Sequence, residues 1–333
     1  MTNLDMALEE IGFYTLSDER AATASDVSDM QRCEVLITGL CNFKCPYCRM
    51  TGPNGHASLV EIINLIDLWA DDGLQNIRLS GGEPTVHPQL VDMVRHAKSR
   101  GIKRIALSTN GSAPLSLYHT LVEAGVNDFS ISLDACCAED ATLMSGTGRP
   151  VFERIVSTIK EMSKLTYVTV GVVLNEENVD KLAQTVQYAH DLGVADIRVI
   201  SAAQYNELLT GVKTIDPKLL DNHPILSYRV INTIRGRNVR GIRPTDSKQC
   251  WLALDDSVVV DGKHYPCVIH MREKGSPIGR VGPNMRNERV EWSFDHNTHD
   301  DPICSKNCLD VCVDYNNRAE YFNAFDLIGG QND

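Results

Sequence analysis

Apolar and polar positions along the chain alternate between two spacings. From residue 34 onward, short apolar runs of strand length are each followed by a longer stretch with apolar residues at helical spacing. Residues 35–40 read as a buried strand, with Gly39 marking its end. Residues 58–72 carry Leu59, Ile62, Ile63, Ile66 and Trp69 on one helical face, with Ser58 as N-cap. The same reading predicts strands at 76–80, 104–109, 128–133, 166–174 and 196–201. It predicts helices at 87–100, 114–124, 150–164 and 179–192, with Gly101, Gly125 and Gly193 as stops. A helix over 218–235 completes six strand–helix units. Such alternation specifies an α/β fold with a parallel sheet and right-handed crossovers. It allows either an open doubly wound sheet or a barrel. Residues 1–32 form a leading arm that Ile11, Phe13, Tyr14 and Leu16 can dock on the body.

The loop after the first strand carries Cys41, Cys45 and Cys48, spaced C-x3-C-x2-C. Strand C-terminal ends are where α/β folds place their chemistry. Thiolates favour zinc or iron–sulfur centres, but zinc sites more often show paired C-x2-C elements. Three ligands on a four-iron cluster leave one iron open to an exogenous ligand. The spacing, with Tyr47 before the last cysteine, resembles the radical S-adenosylmethionine (SAM) enzymes. That resemblance implies a partial (β/α)6 TIM-like barrel in which Cys41, Cys45 and Cys48 hold a 4Fe–4S cluster and SAM chelates the fourth iron. It further implies one-electron cleavage of SAM to a 5′-deoxyadenosyl radical, hydrogen abstraction from a substrate, and a reducing partner such as flavodoxin or ferredoxin.

The later strand ends extend the resemblance. In Ser80-Gly81-Gly82-Glu83-Pro84, two glycines permit close approach to the backbone and Glu83 adds a carboxylate. The resemblance implies that Gly81, Gly82 and Glu83 bind the amino group of SAM. Ser108 and Asn110 end the third strand, and Ser132 and Asp134 the fourth; their polar groups suit a ribose or a carboxylate. By resemblance, Ser132 faces SAM, Asn110 and Asp134 face SAM or substrate, and residues 170–175 pack against the adenine. Met144 occupies the usual place of a basic residue that contacts the SAM carboxylate, with Arg149 or Arg198 as substitutes.

A second thiol set, Cys250, Cys267, Cys304, Cys308 and Cys312, lies downstream. Asp261-Gly262 is a hairpin turn between apolar stretches. The pattern Cys250, Gly262, Cys267 resembles the opening of the SPASM and twitch domains, which carry auxiliary iron–sulfur clusters. Cysteines four apart on one helix share a face, so the group at 304–312 can act together. Five thiols suit one four-ligand cluster held by Cys250, Cys267, Cys308 and Cys312, with Cys304 spare; structural zinc is the alternative. Cys33, Cys136 and Cys137 match neither set. Arg229, Arg235, Arg237, Arg240 and Arg243 form a local basic run, readable as a solvated helix face or as an anion site.

Composition narrows the partners. The 333 residues carry a net charge of −12, against general nucleic-acid binding. No apolar run approaches the roughly 20 residues of a membrane span, and the polar start does not resemble a secretory signal. A cytoplasmic location follows as the expectation, with the 11 cysteines as ligands and free thiols. The expected domains are an arm at 1–32, a radical SAM barrel at 33–236 and a small cysteine-rich auxiliary domain at 237–333. The expected activity is oxidation of a buried small molecule, sugar- or nucleotide-like, with the auxiliary cluster accepting an electron. A peptide-modifying maturase, a redox-neutral epimerase, decarboxylase or cyclase, and a non-catalytic iron–sulfur or zinc protein remain alternatives.

Overall fold

Six parallel strands follow one another in the predicted order: β1 (Arg32–Thr38), β2 (Asn76–Gly81), β3 (Arg104–Thr109), β4 (Asp128–Ser132), β5 (Tyr167–Leu174) and β6 (Asp196–Ser201). The computed structural model describes residues 17–49, 52–147, 150–203 and 210–329. Ile11, Phe13, Tyr14, Leu16 and Arg149 lie outside them. Three further strands, β7 (Asp256–Val260), β8 (Lys263–Tyr265) and β9 (Gly279–Arg280), continue the sheet beyond β1, β7 parallel and the other two antiparallel. The order β6-β5-β4-β3-β2-β1-β7-β8-β9 is open, so this is a partial TIM-like barrel.

The helices are α1 (Asp18–Thr23), α2 (Leu59–Asp71), α3 (Leu90–Ser99), α4 (Leu115–Ala124), α5 (Ala138–Ser145), α6 (Phe152–Leu165), α7 (Leu182–Asp191), α8 (Pro224–Ile234), α9 (Val268–Arg272), α10 (Met285–Asp295), α11 (Pro302–Asn307) and α12 (Asp310–Gly329). Those between strands lay apolar stripes on the sheet: α2 buries Ile62, Leu65, Ile66 and Trp69, and α6 buries Ile155, Val156, Ile159 and Met162. Each such side chain contributes roughly 1.5–3 kcal/mol when fully buried. They meet one sheet face made of Val35, Ile77, Leu79, Leu107, Ile131 and Val170.

The other face is polar. The register aligns Glu34 with Arg78, Ser108 with Ser130, and Gly171 with Arg198. At its base Arg32 pairs with Glu34 at 2.9 Å and Asp256 at 3.1 Å, while Asp128 takes Arg104 at 3.1 Å and Arg78 at 3.3 Å. Side chains alternate across a strand, so short runs that read as apolar carry every second residue into a charged interior.

The segment before β1 is clasped to the C-terminal region. Ser17 caps α1, and Ala21 and Ala24 pack with Trp251, Leu254 and Tyr315. Arg20 donates from Nε to Asp255 at 2.8 Å. The hairpin turn forms as expected, with Asp261 at φ 50° and Gly262 at φ 64°, the pair of positive angles a two-residue type I′ turn demands.

Two expectations need correction. Cys304, Cys308 and Cys312 do not share one helix face, because α11 ends at Asn307 and α12 begins at Asp310. Cys308 is extended at ψ 131°, and Leu309 is instead held in a β-bridge to Arg240. The helix expected from 218 starts at Pro224, whose ring suits a first helical position. The helix α10 carries no apolar stripe in the sequence, because its buried face, Met285, Arg289 and Ser293, is mostly polar.

Candidate functional site

The cysteine loop is gripped on both flanks. Gly82 N–H donates to Thr38 O at 2.7 Å and Glu83 N–H to Leu40 O at 2.8 Å. A Cβ on Gly81 would lie 2.2 Å from Thr38 O, and one on Gly82 2.3 Å from Leu40 O. The close approach these glycines permit is therefore that of the cysteine loop's own backbone. On the other flank Lys44 N–H donates to Ser145 O at 2.8 Å, at the end of α5.

Cys41 and Cys48 are exposed on this loop and Cys45 is half-buried. Burial pushes the Cys45 thiol up to about 11; the Tyr47 hydrogen bond opposes this, and the charges of Asp134, Cys48 and Cys41 add to it. Each thiolate thus disfavours its neighbours. Crowded soft donors of this kind suit a centre that supplies positive charge.

The strand-end residues separate into three groups. Asn110 and Asp134 reach the cysteine loop. Asn110 Nδ2 donates to Asn42 Oδ1 at 2.8 Å, and Asn42 in turn donates to Ser112 at 2.8 Å. Asp134 accepts from Val173 N–H at 2.7 Å and from the Tyr47 hydroxyl. Burial raises it to about 6 against both hydrogen bonds. Ser132 stands exposed at the end of β4. Ser108 lies deeper, accepting from Arg78 at 3.0 Å, beside Ser130, which accepts from Arg198 at 3.2 Å. Glu83 is fully buried, and both its oxygens are engaged by Thr85, Thr109 and the Asn110 N–H. Met144 is buried in α5. Sequence reasoning missed Asn42 and Arg78; only Asn42, inside the cysteine motif, carried a signal.

The second thiol set converges from four segments. Cys250 precedes a tight turn at Trp251–Leu254, Cys267 caps α9 by accepting from His270 N–H at 3.3 Å, Cys304 lies in α11, Cys308 follows it and Cys312 lies in α12. Burial first, then the charge of neighbouring thiols, pushes Cys308 and Cys312 well above the usual thiol range. Burial and Cys267 bring Cys250 to about 12. Cys304 feels Cys250, Cys267 and Cys312 as well. It has a further neighbour in His296, whose Nε2 lies 3.6 Å from its Sγ. Ligand atoms of His296, Asp301 and Cys304 lie within 4.8 Å of one another. All eleven cysteines are free. Cys33 is buried in the core, and Cys137 lies 3.1 Å from Asp140, which pairs with Lys181.

The thiol sets are joined by an ion pair between Arg49, next to Cys48, and Glu273, just beyond α9. Among the described residues no helix is long and apolar enough to cross a membrane.

Residues 35–189 match the family described as the Radical SAM superfamily. Among curated relatives, the chain is 28% identical over 207 residues to a "Probable GTP 3′,8-cyclase" of Sulfurisphaera tokodaii, covering 58% of this chain and 66% of that protein. A protein of the same name from Saccharolobus solfataricus is 31% identical over 171 residues, covering 50% of this chain and 55% of its own length. The matched stretch thus spans less than two thirds of either relative. Solved structures share the fold at low identity. The anSMEcpe enzyme with bound AdoMet superposes with a TM-score of 0.62 at 15% identity, over 90% of this chain and 98% of that one. SuiB of Streptococcus suis bound to S-adenosylmethionine gives 0.58 at 13%, over 83% of this chain and 65% of that one. With the three-cysteine loop seated at the mouth of a partial barrel, the match identifies residues 35–189, somewhat under half of the chain, as a region similar to the radical SAM superfamily, whose members use a 4Fe–4S cluster and SAM.

Proposed function

We propose that the chain is a radical SAM enzyme acting on a small molecule held at the barrel mouth between two thiol-bound iron–sulfur centres. The observation that carries this reading is a three-thiol loop at the end of β1 and a five-thiol set whose members act on one another, linked by the ion pair of Arg49 and Glu273. Cys41, Cys45 and Cys48 would hold the catalytic cluster, and Cys250, Cys267, Cys308 and Cys312 an auxiliary one in a SPASM- or twitch-like domain over 237–333. When bound, the catalytic cluster and SAM supply one-electron cleavage chemistry that creates a hydrogen-abstracting radical.

The chain's own residues would do the positioning. Gly81 and Gly82 fix the loop's distance from β2, and Glu83 ties the ends of β2 and β3 together beneath it. Ser132, exposed at the end of β4, is open to hydrogen-bond a ligand, as is Asn110 beside the loop. Asp134 orients Tyr47 by accepting its hydroxyl hydrogen bond. Arg198, bonded only to Ser130 among the described residues, is the candidate partner for the SAM carboxylate. An auxiliary centre accepting an electron would make the outcome an oxidation. The curated relatives are named for a cyclisation of GTP, which favours a small molecule and keeps a redox-neutral outcome in view.

Anaerobic iron and sulfide analysis with EPR of the reduced protein tests the reading, on wild type and on the combined Cys41/Cys45/Cys48→Ala variant. About eight irons falling to about four, with a SAM-sensitive signal only in wild type, is the expected result. About four irons in wild type and none in the variant would move the C-terminal thiols to zinc or structure. The grouping of His296, Asp301 and Cys304 favours that second reading for part of the set, because it matches zinc's preference for mixed donors. Zinc in the purified protein would identify it.

A further inference from the structure

The basic run at 229–243 does not form one surface. Arg229 pairs with Asp310, Arg237 with Asp314 and Arg243 with Asp246, and Arg235 is exposed at the end of α8. Arg240 differs from all of these. It is 7% exposed and has no carboxylate partner among the described residues. Its Nη2 donates only a long 3.5 Å bond to Ser201 O, at the C-terminal end of β6. Its Nε and Nη1 are buried without an acceptor among the described residues. Buried donors in native proteins are satisfied with few exceptions, and an orphaned guanidinium calls for an acceptor from elsewhere.

Its position says where that acceptor comes from. The Arg240 backbone bridges Leu309, next to Cys308, and Ser201 places its head at the barrel mouth. The charges that act on it most are those of Arg49, Glu273, Arg272 and Arg229, in that order. Arg49 follows Cys48, and Arg272 ends the helix that Cys267 caps. Arg229 is neutralised by Asp310, and Glu273 is engaged by Arg49. The remainder is a local cationic surplus between the two thiol sets, with Arg240 buried and Arg49 and Arg272 half-buried, in a chain of net charge −12.

We infer that Arg240, with Arg49 and Arg272, forms an oxyanion pocket that holds a phosphate or carboxylate group of the substrate. This rests on the reading of the barrel mouth as the substrate site and adds the chemical class of what enters it. Guanidinium groups meet both anions through paired charge-assisted hydrogen bonds. Fixing the substrate by this group would leave its neutral part to face the three-cysteine loop.

The test is equilibrium dialysis of radiolabelled pyrophosphate and, separately, succinate against anaerobically reconstituted protein saturated with SAM. SAM then already fills its own carboxylate contact. Saturable binding of either anion to wild type and to Arg235→Gln is expected, weakened at least about tenfold in Arg240→Gln and partly restored in Arg240→Lys. Pyrophosphate binding identifies a phosphorylated substrate and succinate binding a carboxylate. Failure of both to bind wild type, or an Arg240→Gln affinity within twofold of wild type, overturns the inference. If Arg240→Gln loses its iron or its circular dichroism, Arg272→Gln is measured against the same criterion. SAM cleavage by the reduced wild type without substrate is followed on the same preparation. Cleavage without anion binding overturns the pocket alone, whereas no cleavage overturns the reading beneath it.

Discussion

Replacing Gly81 by alanine is the sharpest test of how the fold holds the cysteine loop. Gly81 has φ +138°, where only glycine is at ease, and a Cβ there would sit 2.2 Å from Thr38 O. Forcing a side chain into that backbone region costs about 1–3 kcal/mol. The contact falls more than 1 Å short of van der Waals separation, and the obstacle is β-strand backbone with no rotamer to yield. Relief means parting β1 from β2 where Gly82 N–H meets Thr38 O at 2.7 Å, a loss of about 0.5–1.5 kcal/mol. The strain of crowding adds about 1–3 kcal/mol. The total, about 3–7 kcal/mol, is a large share of a typical domain's stability. Gly101→Ala is the matched control, because Gly101 also has positive φ, +78°, but nothing within 4 Å of its Cβ position. The assay is anaerobic urea unfolding followed by far-UV circular dichroism, with iron retention measured alongside. Gly81→Ala should unfold at clearly lower urea than Gly101→Ala and retain less iron. Equal midpoints for the two variants, with equal iron, would refute the claim that close approach of the loop backbone is what requires glycine.

Other outcomes follow from single contacts. Burial opposes ionisation of Glu34, but Arg32, Arg272, Arg78 and the Ser80 hydroxyl outweigh it and bring the group to about 2. Its charge therefore stabilises the fold by roughly 3 kcal/mol above the ordinary glutamate range. The stability gap between wild type and Glu34→Gln should be full at pH 7 and shrink as pH falls from about 4.5 towards 2, as read by urea midpoints across that range. Arg20→Ala removes the cation from Asp255, whose side chain is 2% exposed and keeps the Tyr315 hydroxyl as a donor. It should cost about 3–5 kcal/mol and release the segment before β1 to limited proteolysis. Cys304→Ser should keep the iron of the C-terminal set, while serine at Cys250, Cys267, Cys308 or Cys312 should lose it, as measured by iron and sulfide content.

Local chemistry determined most of the frame. Helix-period stripes, strand-length apolar runs and glycine stops are written in neighbouring residues, so the six parallel strands, their helices and the Asp261-Gly262 turn were legible from the chain alone. So was the three-cysteine loop, because its donors lie within eight consecutive positions. Tertiary structure decided what depends on residues far apart in sequence. It clasped the described start of the chain to the segment before β7 through Arg20 and Asp255, and extended the parallel sheet with β7. It broke the helix expected through Cys308 and turned one basic run into three ion pairs, an exposed arginine and a buried one. It also gave Glu83 and Asp134 their partners, since a carboxylate in a motif seeks whichever donors packing brings to it. Periodicity reports which face of an element is buried. Which charges meet on that face is settled only when distant strands come into register, and there the chemistry of this site resides.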